Sequence, residues 1–247
     1  MKIIFMGSGT SLGVPTIGCP CQVCSSTDPK NKRTRPSLLV RIGEDNFLID
    51  TATDFRQQAI RENLRKINAV LYTHAHADHI LGLDDLRPYN YFQGMHIPCF
   101  GNQTTMDYIC KMFGYVFTDP QPGGSIPRIE PRVVSGPFQV DGVNVQPLPV
   151  FHGKIDVNGY RIGNLSYITD CSEVPESTYD LLEGTAVLVL GVLRREPHPT
   201  HLNVDKAMEI IRRVQPRQTF FTHLSHDFDH ESANAELPDN VRLSFDG

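Results

Sequence analysis

"LYTHAHADHILG", residues 71–82, sets three histidines and an aspartate (His74, His76, Asp78 and His79) within six positions, directly after an apolar run. A half-buried loop tolerates one histidine. Three unpaired imidazoles beside an acid are electrostatically unproductive unless a cation joins them. Side chains along an extended segment alternate in direction, so His74, His76 and Asp78 converge while His79 reaches past them as the chain turns. Imidazole nitrogen suits Zn, Mn or Fe, and a carboxylate can bridge two cations. The stretch therefore predicts a metal centre at the end of a strand.

The same punctuation recurs further along, where "PLPVFH", "SYITD" and "TFFTH" run apolar and stop at His152, Asp170 and His223. Alone, His152 reads as a hydrogen-bonded structural residue and Asp170 as a helix or turn cap. Four strands that end in ligand chemistry read instead as one site, positioned at strand ends by a rigid scaffold. Together with the first cluster these residues make seven ligands, a number that suits two ions sharing an aspartate.

Around these strands the chain alternates strand and helix patterns, and one α/β domain over residues 1–247 is the simplest account. "KIIFMG" reads as a first strand, followed to about residue 36 by a loop rich in Gly, Ser, Thr and Pro. "SLLVRI" and "NFLIDT" form a hairpin over Gly43, Glu44 and Asp45. Asp54 is placed to cap a helix running to about Leu64. "IPCFG" reads as a strand, residues 104–112 as a helix and residues 114–131 as an exposed loop. A second hairpin turns on Asp141-Gly142 in "FQVDGVNVQPLPVFH". "NLSYITD", "AVLVLGV" and "RQTFFTH" follow as strands, with helices near 176–183 and 204–214. The acidic "HDFDHESANAE", residues 226–236, is expected to be solvated beyond His226.

A chain of 247 residues, 40% of them apolar, can bury a substantial core. Its net charge of −5 disfavours affinity built on coating a phosphate backbone, so nucleic acid is not the expected partner. A small anionic substrate is compatible with it. No charged leader with an apolar segment opens the sequence and no apolar run approaches the ~18 residues of a spanning helix. The expected setting is the cytoplasm, with no membrane partner; a homodimer is the protein assembly considered.

Three of the six cysteines, Cys19, Cys21 and Cys24, crowd into "GCPCQVC" at C-x-C-x₂-C spacing. That is not a framework of spaced disulfides, and it is one ligand short of a closed tetrahedral zinc site. His226, three residues beyond His223 in "FFTHLSH", offers the fourth. A structural zinc there would offset the entropy of ordering the long N-terminal loop.

At these residues the sequence resembles the metallo-β-lactamase superfamily, whose H-x-H-x-D-H hallmark stands here as "HAHADH". The resemblance implies an αββα sandwich with a dinuclear site along one edge between the sheets. It implies that His74, His76 and His152 hold one ion, that Asp78, His79 and His223 hold the other, and that Asp170 bridges them. "GSGTSLGVPTIGCPCQVC" and "HPTHLN" further resemble the phosphoribosyl cyclic phosphodiesterases of phosphonate breakdown, the PhnP type. That branch implies a Cys₃His structural zinc and a catalytic part for His201, with His198 close by in sequence. Gly191 departs from the acidic residue that relatives often carry at its position.

The expected activity is hydrolysis of a small phosphodiester, a cyclic ribose phosphate among the candidates, by two divalent ions, Zn or Mn, in which coordination lowers the pKa of water from 15.7 toward ~7. Asp78 and His201 are the expected catalytic side chains, with His201 assisting the leaving group or a phosphoryl oxygen. Arg56, Arg87 and Arg161 are candidates to meet a phosphate. The alternatives are an RNase Z-like nuclease and a non-hydrolytic binding protein of cofactor biosynthesis with the same fold.

Overall fold

The structure, a computed structural model, describes every residue except 120, 121 and 123. Its first sheet runs in the order β1 (Lys2–Gly7), β2 (Ser37–Ile42), β3 (Asp45–Ile49), β4 (Ala69–Leu71), β5 (Ile97–Gly101) and β6 (Ile129–Val133). The second contains β7 (Phe138–Val140), β8 (Val143–His152), β9 (Ile155–Ile162), β10 (Leu165–Ile168), β11 (Val187–Arg194), β13 (Gln218–Thr222) and β14 (Val241–Leu243), with the short β12 (Leu202–Asn203) paired to β11. The helices are α1 (Gln22–Ser25), α2 (Phe55–Arg61), α3 (Ala77–Ile80), α4 (Arg87–Gln93), α5 (Gln103–Met112), α6 (Glu176–Leu182), α7 (Val204–Val214) and α8 (His230–Glu236).

Three apolar clusters stack these elements into four layers. Between the sheets, Leu38, Val40 and Phe47 meet Val145, Tyr160 and Tyr167. On the outer face of the first sheet, Leu39, Leu48 and Val70 pack against Phe55 of α2, Tyr89 of α4 and Ile109 of α5. On the outer face of the second, Leu188, Leu190 and Phe221 pack against Leu182 of α6, Ile210 and Ile211 of α7, and Ala233 of α8. Strand β2 is buried on both faces, which is why "SLLV" reads as a continuous apolar run rather than an alternation. Each such side chain contributes about 1.5–3 kcal/mol of burial. The αββα sandwich implied by the resemblance is the observed architecture.

Strand direction then places the chemistry. Strands β3, β4 and β5 are mutually parallel in the first sheet, and β10, β11 and β13 in the second. The carboxyl ends of parallel strands lie on one side of a sheet, where ligands gather in α/β proteins. His74, Asp170 and His223 all follow such ends. Both turn readings hold: Gly43 has φ +60°, and Asp141 and Gly142 have φ of +49° and +78°, the left-handed pair that a two-residue hairpin turn requires.

Three expectations fail. Asp54 makes no side-chain cap; its carboxylate instead accepts from the Arg35 backbone N–H at 2.9 Å and from the Arg35 guanidinium at 3.1 Å, and α2 stops at Arg61. A nearby cation competed successfully for the capping oxygen. The loop expected over 114–131 holds a 3₁₀ turn at Gly114–Phe117 and yields to β6 at Ile129; its centre lies partly outside the described residues. The acidic segment after His226 is folded, not solvated. Asp229 caps α8 by accepting from the Ser232 N–H at 3.1 Å, and Phe228, His230 and Ala233 are buried. Among the described residues no helix is long and apolar enough to cross a membrane.

Gly191 on β11 lies beside Thr169 and Asp170, just past the end of the parallel strand β10. A Cβ built there would sit 3.0 Å from the Asp170 nitrogen and 3.0 Å from the Thr169 Cα, so the backbone carrying Asp170 would have to give by a few tenths of an ångström to admit a side chain. Gly191→Ala is expected to destabilise the fold by about 1–3 kcal/mol, the cost typical of overpacking, measured by chemical denaturation. An unchanged midpoint would show that the strands can part there without cost.

Candidate metal centre

His74, His76 and His152 bring one ligand nitrogen each to within 4.8 Å of one another; Asp78, His79 and His223 do the same, and Asp170 joins His74 and His79 in a third such group. All seven strand-end ligands anticipated from the sequence are therefore brought together. The first comes off β4, whose extended path continues to His76. The one-turn helix α3 then rotates Asp78 and His79 inward. Strands β8, β10 and β13 deliver His152, Asp170 and His223 from the second sheet.

Hydrogen bonds fix which nitrogen of each ring faces the centre. Thr73 Oγ1 donates to Asp50 Oδ2 at 2.8 Å, so the 3.0 Å contact from His74 Nδ1 to that hydroxyl has the imidazole N–H as donor. His74 Nε2 then carries a lone pair. His79 Nδ1 donates to Asp50 Oδ2 at 2.7 Å, and His152 Nδ1 donates to the Thr200 carbonyl at 2.7 Å. Outer partners of this kind set the tautomer of metal-binding histidines.

The inward nitrogens meet no hydrogen-bond partner. Nε2 of His74, His79 and His223 are all buried and unsatisfied. His79 Nε2 lies 2.8 Å from Asp170 Oδ2 and 3.2 Å from Asp78 Oδ2, yet neither contact has hydrogen-bond geometry. Lone pairs of nitrogen and carboxylate oxygen crowded this closely repel one another unless a cation lies between them. The residues present thus fit divalent metal.

Asp50 was not among the sequence candidates. Its carboxylate is fully buried and accepts from the Thr73 N–H at 2.8 Å as well as from Thr73 Oγ1 and His79. Burial raises its pKa, and the His79 imidazole pulls it back. The sequence signal was available, because "NFLID" is another apolar strand that stops at an acid. Asp50→Asn is expected to lower metal affinity about 10–100-fold, the range for outer partners of ligands, in titration of the metal-free protein. Unchanged affinity would remove Asp50 from the site. The backbone at Asp50, Asp170 and His223 is left-handed, with φ of +63°, +45° and +59°. For residues other than glycine such values cluster at sites held in place by their surroundings.

His201 joins the same constellation, with Nδ1 3.2 Å from Asp170 Oδ1 and its ring stacked on His223 at 5.2 Å. Burial lowers its imidazole to about 3, opposed by Asp170. His198 stands behind it and holds the loop, accepting from the Thr200 N–H at 3.3 Å. The three arginine candidates serve elsewhere. Arg161 donates to the Leu181 carbonyl at 2.7 Å, Arg87 pairs with Asp84 at 3.0 Å, and Arg56 lines a groove that shares no residue with the metal cluster.

A second group lies on the docked N-terminal loop. Cys19, Cys21 and Cys24 Sγ stand 3.3, 3.6 and 3.4 Å from His226 Nδ1. The Cys24 backbone N–H lowers the Cys21 thiol to about 7, while burial raises the Cys24 thiol to about 11. The loop is threaded beside the end of β13, where Thr10 N donates to the Leu224 carbonyl at 3.1 Å and Leu224 N to Ser8 O at 2.9 Å. Three thiols around one imidazole nitrogen fit a tetrahedral zinc.

The family profile of the beta-lactamase superfamily domain matches residues 45–224. The chain belongs to that superfamily. The match contains all seven clustered ligands and ends before His226, so the cysteine group lies outside the matched residues. A diphosphatase of the PhnP family superimposes with a TM-score of 0.93 at 42% identity, covering 99% of this chain and 94% of that one. This bears out the PhnP-like branch. Zn(2+)-bound PqqB from Methylobacterium extorquens shares the fold, with a TM-score of 0.76 at 21% identity over 100% of this chain and 98% of its own. A relative named octanoyltransferase, from Porphyromonas gingivalis, is 36% identical over 100% of this chain but 51% of its own length. The chain thus spans about half of that relative.

Proposed function

We propose that the protein hydrolyses a P–O bond in a small phosphodiester. The observation that carries the proposal is the convergence of three unsatisfied, buried Nε2 atoms with two carboxylates. In this proposal His74, His76 and His152 hold one divalent ion, Zn or Mn, Asp78, His79 and His223 hold a second, and Asp170 reaches both; Cys19, Cys21, Cys24 and His226 hold a structural zinc. Divalent ions so held supply activation of water at neutral pH and neutralisation of phosphoryl charge.

The chain's own groups do the rest. Asp50, Thr73 and the Thr200 carbonyl orient the imidazoles and reduce the reorganisation left for the reaction. Asp78 acts in the reaction as well as in binding, by orienting the attacking water. His201, kept neutral by its burial, steadies the leaving oxygen or a phosphoryl oxygen with a hydrogen bond. Kinship with a PhnP-family diphosphatase supports phosphorus chemistry and favours a diphosphate linkage as the second reading.

The test is a panel run on metal-analysed protein: an aryl phosphodiester, ribose cyclic phosphates, a diphosphate diester, a lactone and a tRNA precursor. Cleavage of the small phosphorus substrates is expected. Activity confined to the lactone moves the substrate class, activity confined to tRNA establishes the nuclease, and inert, metal-replete protein establishes a binding role.

A further inference from the structure

A cavity of about 470 Å³ opens off the metal cluster at His76, between the N-terminal half of α5 and the turn joining β8 to β9. Sites for small organic ligands occupy roughly 300–1,000 Å³, so there is room for much more than a phosphoryl group. Its two walls are fastened to each other. Asn102 Oδ1 accepts from the Thr105 N–H at 2.8 Å and caps α5, while Asn102 Nδ2 donates to the Asp156 carbonyl at 3.1 Å and holds the turn.

Three side chains with different chemistry line this space. Tyr108 on α5 is 56% exposed, and neither its hydroxyl nor the heads of Lys154 and Asp156 have a side-chain hydrogen bond or ion pair among the described residues. Lys154 is the one Lys or Arg among the described residues lining the cavity. A phosphoryl group at the metal cluster has this cavity as its adjoining space.

We propose that the cavity is the leaving-group subsite and that it takes a nucleoside. The inference deepens the proposed phosphodiester hydrolysis and rests on it. Tyr108 offers a flat aromatic face on which any nucleobase stacks. Asp156 is an acceptor for ribose hydroxyls or base N–H groups, and Lys154 neutralises the phosphate side of the leaving group. A simple alkyl leaving group would use neither Tyr108 nor Asp156.

The test measures binding to the metal-loaded full chain by calorimetry, with adenosine 5′-monophosphate and inorganic phosphate as probes. Wild type is expected to bind the nucleotide at least about tenfold more tightly than phosphate, Tyr108→Ala to lose about tenfold on the nucleotide alone, and Tyr108→Phe to keep it. Lys154→Met is expected to weaken both probes. In turnover followed by release of adenosine, Tyr108→Ala raises KM for adenosine 5′-methyl phosphate with kcat unchanged and leaves dimethyl phosphate, which carries no base, untouched. Equal affinity of wild type for the two probes, or an unaffected Tyr108→Ala, overturns the subsite. The failures are separable: full activity in His76→Ala sinks the metal reading while selective nucleotide binding still stands, and unselective binding with His76-dependent hydrolysis sinks the subsite alone.

Discussion

His76→Ala is expected to reduce phosphodiester hydrolysis by on the order of a thousandfold or more, since loss of even an outer partner of a metal ligand costs about 10–100-fold. His76 suits this test because, unlike the buried His74 and His79, it is exposed at the start of α3. Its truncation therefore leaves no cavity in the core. Chemical denaturation of the metal-free variant should match that of metal-free wild type, while metal analysis shows the cluster depleted and the cysteine-bound zinc retained. Equal turnover by the two proteins would end the proposed mechanism whatever the metal content.

Cys24→Ala is expected to act on the fold first. Cys24 is buried, its sulfur stands 3.4 Å from His226 Nδ1, and it accepts the Thr16 N–H at 3.3 Å. Structural zinc sites in small domains bind with an apparent ~10–16 kcal/mol, so losing one of four ligands should destabilise the protein by about 4 kcal/mol or more. The variant should carry one zinc fewer and unfold at clearly lower denaturant. Because Ser8 and Thr10 pair with Leu224, next to His223, loosening the loop should also weaken the metal cluster. A variant with unchanged zinc content and stability would leave the cysteine loop to be ordered by packing alone.

Much of this was legible in residue order. Ligand clusters and strand punctuation are local signals, and the hairpins at Gly43 and Asp141-Gly142 follow from turn chemistry within a few residues. The cysteine loop and His226 lie 202 positions apart at Cys24, yet the spacing of the three thiols already pointed to a fourth partner, and His226 is the side chain found beside them. Asp54 misled because a capping acid and an ion-paired acid look alike until the Arg35 backbone is placed beside it. The segment after His226 misled because its charges mask a short run of small and apolar residues that find their partners only on β13 and β14.

The sequence by itself determined the kinds of ligand, their order and the strands that end in them, because those depend on side-chain chemistry and on the two-residue repeat of an extended chain. The tertiary structure alone decided that Asp50 and Thr73 set the tautomers, that a side chain at Gly191 would press on the backbone carrying Asp170, and that Lys154, Tyr108 and Asp156 share one cavity. Each of these depends on distances between segments remote in the chain, fixed by how two sheets pack and not by any local pattern.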